Sequence, residues 1–447
     1  MAQTEPEPAR RLILTALLLT LCSLLRPICV ATGAAAGSVI DREAVVRRHF
    51  PNATSITSSS FLALGNGQFG LAVDATGLQT FNNTQSSLCL LSDMHWYTTP
   101  YTGPGADPWT ATMASSVFVD LNTTTNTGVQ RTVPYPVNCS GGSACDWLAV
   151  NPVRLDLGQI KFTAGDGGDL KLADVGDISQ QLDTWSGALR SSWEHTPSGT
   201  RVQAETMVDM SSSTLSLSVA TTTNGTHGTT ASSSDSGGAA ATLGAAIVFA
   251  MPASGNSGCR DWSRPQDHTT TVLAHASDGS SLTLRRVIGL EEHQVQCRST
   301  GAAWLLDAHH AHRFLLTPHS ATGVWTMSCT YSDPTEAIPA APPGGWDAEA
   351  IASRTAAEWH RFWGSGAFLD LNAGVANASA QQIELERRVV LSQYLMRAQE
   401  HGRLPPQETA LIHNTWHGKH HQEMRYWHQA WWAMWARPEA LIKSDEW

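Results

Sequence analysis

Between about residue 40 and residue 340 the chain is a succession of short runs rich in Val, Thr, Leu and Phe, each broken by Gly, Asn, Asp or Ser. From about residue 347 that rhythm stops and a helical period replaces it. The runs 69–73, 116–121, 202–210, 214–220, 246–250 and 282–287 are too short for helices and are spaced like the strands of an antiparallel sandwich. Within them FLALGNGQFG, residues 61–70, places three glycines around Asn66, which suits a turn needing positive φ between two apolar strands. The Thr-, Ser-, Gly- and Ala-rich stretch 221–241 reads as an excursion between strands.

After the change of period, residues 347–362 predict a helix with Trp359, Phe362 and Trp363 on a common face, stopped by Gly364 and Gly366. Residues 381–399 predict a second, amphipathic helix with Ile383, Val390, Tyr394 and Leu395 near one stripe. Pro405 and Pro406 end its connection, and a further helix is expected near His420. The expected organisation is a β-rich domain over 40–340, a helical linker over 345–366, and helices of another domain over 375–447.

Residues 405–437, PPQETALIHNTWHGKHHQEMRYWHQAWWAMWAR, hold five tryptophans, five histidines, two glutamates and a lysine. If 419–437 is a helix, Lys419, Glu423 and Trp427 follow at four-residue steps on one face, and His421, His428 and Trp432 define another nearby. A carboxylate and an ammonium beside an aromatic face match a sugar, which offers hydroxyls to hydrogen-bond and an apolar ring face to stack. Glu408, just upstream, is placed to approach the same site. Two plainer readings stand beside this one. Trp431, Trp432, Met434 and Trp435 suit packing between helices, and Glu423 suits a surface pair with Lys419. In the 93–97 loop, DMHWY, His95 and Trp96 either face a ligand or pack beneath the loop.

Metal and cofactor chemistry find little footing. His417 and His421 stand four apart, but no glutamate lies between them and Gly418 weakens a helix there, so no metal is expected. The 309–312 run, HHAH, reads as a polar loop or strand edge. There is no G-x-S-x-G, Walker loop, dinucleotide fingerprint or C-x-x-C, and no cofactor is expected. A net charge of −11 with dispersed Lys and Arg leaves no basic patch for phosphates, so the expected partner is a carbohydrate and not nucleic acid.

Arg10 and Arg11 precede an apolar run over 12–25 and small residues at 31–34, the order of a signal peptide over 1–33. That run falls short of the roughly 20 residues that span a bilayer, so no stable span is expected after cleavage, an uncleaved signal anchor being the other reading. The expected destination is the secretory pathway or the cell exterior. Six cysteines follow the leader, Cys89, Cys139, Cys145, Cys259, Cys297 and Cys329, and the short loop between Cys139 and Cys145 favours that pair for a disulfide. Sequons at Asn52, Asn82, Asn122, Asn138, Asn224 and Asn377 are candidate glycosylation sites.

The succession EWHRFW (358–363), LERRVVLSQYLMRAQ (385–399), PPQET (405–409) and NTWHGKHHQEMRYWHQA (414–430), preceded by ALGNGQFGLAVDATGLQTF (63–81), resembles secreted members of the six-hairpin glycosidase superfamily. These are relatives of the maltose and kojibiose phosphorylase group. The resemblance implies an N-terminal antiparallel β-supersandwich, a helical linker and a C-terminal (α/α)6 barrel. It also implies a site at one end of the barrel, where a glutamic acid protonates the departing glycosidic oxygen. By position, Gln407, Glu408, Trp416, Lys419, His421 and Glu423 fall in the segment that lines the sugar subsite.

Twelve barrel helices of about 11–12 residues with loops of about 4–6 require roughly 200 residues, whereas about 70 follow residue 375. The expectation is a chain with two barrel helices and the start of a third, truncated before the general acid. The expected parent reaction is inverting cleavage of a glycosidic bond in an oligosaccharide or polysaccharide. One carboxylic acid protonates the leaving oxygen, and a second carboxylate activates water or phosphate takes the water's place. Glu423 and Glu408 are the candidate carboxylates, with Gln407, Trp416, Lys419, His421, Trp427 and His428 binding substrate. The alternative is a non-catalytic secreted carbohydrate-binding protein.

Overall fold

Alternation with period two produces most of this molecule. In the strand Ser281–Ile288, Leu282, Leu284, Arg286 and Ile288 turn inward. The partner strand Glu291–Thr300 sets Cys297, Val295 and His293 opposite the first three of them. Repetition of this pattern builds a nine-stranded antiparallel sheet that begins at Asn52–Ala53, runs through Val175–Asp183, Ala188–His195, Thr200–Val208, Thr214–Thr223 and Val324–Ser332, and ends at Glu291–Thr300, Ser281–Ile288 and Thr269–His275. A four-stranded antiparallel sheet orders Ala302–Leu306, Arg313–Pro318, Gly244–Val248 and Gln159–Thr163. One apolar core joins them: Phe162 of the small sheet meets Trp193 of the large one edge to face, with centroids 5.4 Å apart. This is a β-sandwich.

The computed structural model describes residues 40–57, 61–81, 88–101, 117–124, 130–138, 147, 150–223, 243–253, 258–306, 310–319, 323–333, 345–404, 407, 409–413, 418–420 and 422–445. The leader, the greater part of the 221–241 excursion, Cys139, Cys145, Asn82 and Asn224 lie outside them. The other four cysteines pair as Cys89–Cys259 and Cys297–Cys329. The second pair follows from register, since Cys297 and Cys329 face each other on adjacent strands.

The expected hairpin is present. Leu62–Gly65 pairs with Phe69–Val73, and Gly67 takes φ +94°. Asn66 holds the turn from inside: its side-chain oxygen accepts from the Gln68 and Phe69 amides, and its amide donates to Asp209 O and Ser212 O. Those four bonds satisfy a buried polar side chain that would otherwise be costly.

Five helices are described: α1 (Arg42–Arg47), α2 (Ala348–Gly364), α3 (Ala380–Gln399), α4 (Gln422–Met434) and α5 (Pro438–Asp445). Asp347 caps α2 through the Ala350 amide, and Ile351, Thr355, Trp359, Phe362 and Trp363 form its buried stripe. Trp363 Nε1 donates to Thr184 O at 2.7 Å, and Arg354 pairs with the buried Asp209 at 2.6 Å, which clamps α2 onto the sandwich. Burial of each such large apolar side chain contributes about 1.5–3 kcal/mol.

Helix α3 departs from the expected apolar stripe. Val390 and Tyr394 are buried, but Ile383 is exposed and Leu395 only half-buried. The inner face instead carries Glu386, Gln393 and Arg397. Each has a fixed partner: Glu386 meets His49 at 2.8 Å, Gln393 accepts from Arg437, and Arg397 donates to Asn66 O. Contacts group Arg42–Trp447 into one compact unit.

Candidate functional site

The C-terminal end of α3 descends onto the hairpin, and only glycine allows the approach. A Cβ on Gly67 would lie 2.7 Å from the His401 Cα, and one on Gly402 would lie 2.7 Å from Asp93 Oδ2. The contact brings together groups distant in sequence. Arg154, 2% exposed, donates to Ser92 O at 2.5 Å and lies 4.5 Å above the Trp96 ring. Asp93 Oδ2 accepts from the Arg403 amide at 3.3 Å. Glu400, at the end of α3, faces His428 Nδ1 of α4 at 3.2 Å.

Burial raises the pKa of both carboxylates, Asp93 and Glu400, and the positive charge of Arg154 opposes that shift in each. The same burial lowers Arg154 to about 10. Between these groups, also lined by Gly67, Gly402 and Gln407, is a cleft of about 10 Å³. It is large enough for roughly one water molecule and too small for a sugar ring. Two carboxylates held toward their protonated forms beside a cation and an imidazole form an acid–base cluster. In this geometry its work is to hold α4, not to touch a saccharide.

The residues expected from the sequence divide into four groups. Glu408, Trp416 and His421 lie outside the described residues, as does His417. Glu423 and Trp427 share the outer face of α4, both exposed, with Tyr426 beside Trp427 at 5.3 Å between centroids. His428 turns inward to Glu400.

Gln407 and Lys419 form the fourth group and correct the expectation. The Gln407 side chain is buried and donates to Ala410 O and His413 O, while its backbone bridges to His420. Lys419 is not on the helix with Glu423. It precedes α4, after Gly418 at φ +67°, and its ammonium donates to Asn151 O at 2.7 Å. The Lys419–Glu423–Trp427 row therefore does not exist: the left-handed glycine and the bridge at His420 break the helical step. Met434, expected in the core, is 83% exposed, whereas Trp432 is fully buried and stacks on Trp431 at 4.1 Å.

His95 packs beneath its loop. Its Nδ1 meets Ser92 Oγ at 2.8 Å, and its ring lies 5.7 Å from that of His293. Trp96 meets His420 edge to face at 5.5 Å. The sequence reading missed Asp93, Arg154 and Glu400. One signal was available for Glu400, because a carboxylate at a helix C-terminus opposes the helix dipole and calls for a reason.

No protein-family model matches the sequence, and no curated protein matches it. Among solved structures the chain is similar to a protein described as a kojibiose phosphorylase from the human microbiome, with a TM-score of 0.46 and 10% identity, over 80% of this chain and 42% of that one. It is similar to a bacterial glucoamylase complexed with acarbose, with a TM-score of 0.41 and 12% identity, over 66% of this chain and 44% of that one. A family GH92 glycosyl hydrolase follows, with a TM-score of 0.31 and 12% identity, over 80% and 41%. This chain spans about two fifths of the length of each of these three. Among the described residues no helix is long and apolar enough to cross a membrane.

Proposed function

We propose that this chain takes part in glycosidic-bond cleavage, as a β-sandwich joined through the linker helix α2 to the first helices of an (α/α)6 barrel. The observation that carries the reading is the outer face of α4, where the carboxylate of Glu423 and the rings of Tyr426 and Trp427 stand in solvent. They are backed by the His428–Glu400 contact that orients the helix. An aromatic face beside a carboxylate is what a sugar ring with its hydroxyls requires. In the proposed reaction Glu423, together with Glu408, binds or activates at the reacting end, with inversion at the anomeric carbon. Either water or phosphate attacks. Trp416, His421 and Trp427 bind the sugar. Gln407, Lys419 and His428 position the backbone around it.

The chain is proposed to enter the secretory pathway, where the Cys89–Cys259 and Cys297–Cys329 pairs form. A second reading is a non-catalytic secreted carbohydrate-binding protein, and the large cavity in the sandwich favours it. The experiment follows release of reducing sugar, and of sugar phosphate with phosphate added, from an oligosaccharide panel. Loss of a general acid or base lowers turnover by about 10²–10⁴-fold. Where the chain turns a substrate over, Glu423→Gln is expected to fall in that range, and full turnover in this variant overturns its role. Saccharide binding that survives both Glu423→Gln and Trp427→Ala selects the second reading.

A further inference from the structure

A cavity of about 1040 Å³ shares no residue with the cleft at Glu400 or with α4. It lies where both sheets of the sandwich end. Thr269 and Thr270 come from the last strand of the nine-stranded sheet, and Gln159 and Lys161 from the last strand of the four-stranded sheet. The short helical turn Pro265–Asp267 and the 310–312 loop cover its sides.

His268 forms part of its wall. The side chain is buried, its residue 5% exposed, and neither ring nitrogen has a hydrogen-bond partner among the described residues. Its ring stacks on His312 with centroids 3.8 Å apart. His312 is itself fixed by Thr270 Oγ1 at 2.9 Å and Pro265 O at 3.0 Å. Burial lowers His268 to about 3, with Arg286 and His312 adding to the shift, so the imidazole is neutral at ordinary pH. A neutral imidazole offers one donor and one acceptor, and because both ring nitrogens lie beneath the cavity surface a hydroxyl answers them only once the ring turns toward the cavity. Trp262, 45% exposed, adds an open aromatic face, and Gln266 adds a side-chain amide. Lys161 and Arg313 both pair with Asp169, two cations to one carboxylate.

A ligand with flat apolar faces and a rim of hydroxyls satisfies all of these at once. We propose that this cavity is a saccharide-binding site in which the sugar stacks on Trp262 and its hydroxyls hydrogen-bond to His268. The site acts independently of any cleavage at α4, because none of its lining belongs to that helix.

The test uses the full chain carrying Trp427→Ala, which removes the α4 stacking face, screened on a glycan array of neutral and uronic-acid oligosaccharides. Calorimetry then follows with the best binder of each kind. Binding in at least one arm is expected, and adding Trp262→Ala weakens it tenfold or more while the thermal midpoint stays put. A uronic-acid preference assigns the recognition of the carboxylate to Lys161 and Arg313, and a neutral preference assigns recognition to Trp262 and His268 alone. No binding in either arm, or binding unchanged by Trp262→Ala, overturns the proposal. Neither result touches the cleavage reading, which is read from turnover in Glu423→Gln.

Discussion

Replacing Arg154 with methionine tests the acid–base cluster directly. Methionine keeps apolar contact with Trp96 but removes the charge between Asp93 and Glu400, both of which feel it. Arg154 reaches both carboxylates through space and not as a direct ion pair, an attraction worth about 1–3 kcal/mol at such range. The carboxylates can escape part of that cost by taking up a proton, so the loss depends on pH. Burial already raises both carboxyls in the folded protein, so across that range the folded state holds protons that the unfolded chain has released. Stability from such groups is complete below the unfolded pKa and declines as pH rises through the folded one. Without Arg154 the folded values rise further.

The Arg154→Met penalty is therefore expected to be smallest near pH 4 and to grow to about 1–3 kcal/mol by pH 7.5. Urea unfolding of both proteins at half-unit pH steps measures it, and subtracting the two curves removes the titration of histidines common to both. A penalty below about 1 kcal/mol at pH 7.5, or one that does not change with pH, refutes the reasoning.

Gly187→Ala should be severe, because Gly187 has φ +76° and a Cβ there would overlap the indole nitrogen of Trp359. A loss of roughly 2–4 kcal/mol is expected by urea unfolding. The two disulfides close loops of 170 and 32 residues, so loop-closure entropy ranks them. Replacing the cysteines of Cys89–Cys259 with serine should cost about 5 kcal/mol and those of Cys297–Cys329 about 4 kcal/mol, and an inverted order in calorimetry contradicts the ranking. Burial holds His95 down to about 4 and His293 well below its usual value. The unfolded chain therefore takes up protons first as pH falls, and these groups withdraw stability from about pH 6.5 downward. His293→Leu should show a flatter acid limb than the wild type when thermal midpoints are compared between pH 7 and pH 4.5.

What could be read in the sequence was whatever depends on near neighbours. Strand Phe69–Val73 and the turn at Gly67 follow from local pattern, and so does the face of α2 bearing Trp359, Phe362 and Trp363. The reading of α3 failed because its buried face is polar. Glu386 is satisfied by His49, 337 residues away, and Arg397 by Asn66 O, 331 residues away, so no window of the sequence shows that they are paired. The cysteines show the same limit. Loop length pointed to Cys139 and Cys145, which lie outside the described residues, whereas the register of two strands sets Cys297 opposite Cys329. Gly418 was read as weakening a metal-binding helix. The same residue displaces Lys419 from α4.

The placement of Glu400 links these observations. A carboxylate at a helix C-terminus opposes the helix dipole by about 0.3–1 kcal/mol, and burial adds to that cost. Neither penalty is tolerable unless the group ties elements together. From the end of α3, Glu400 reaches His428 on α4 and feels the charge of Arg154 on the short strand Val153–Arg154. His428 lies one residue beyond Trp427 and five beyond Glu423 on the same helix, so the contact that holds His428 inward also turns the outer face of α4 to solvent. The buried carboxylate and the exposed one are thus two ends of a single orientation. Glu400→Gln should therefore weaken saccharide binding at Trp427 without touching any sugar, and leave the cavity at Trp262 unaffected when the two are titrated separately.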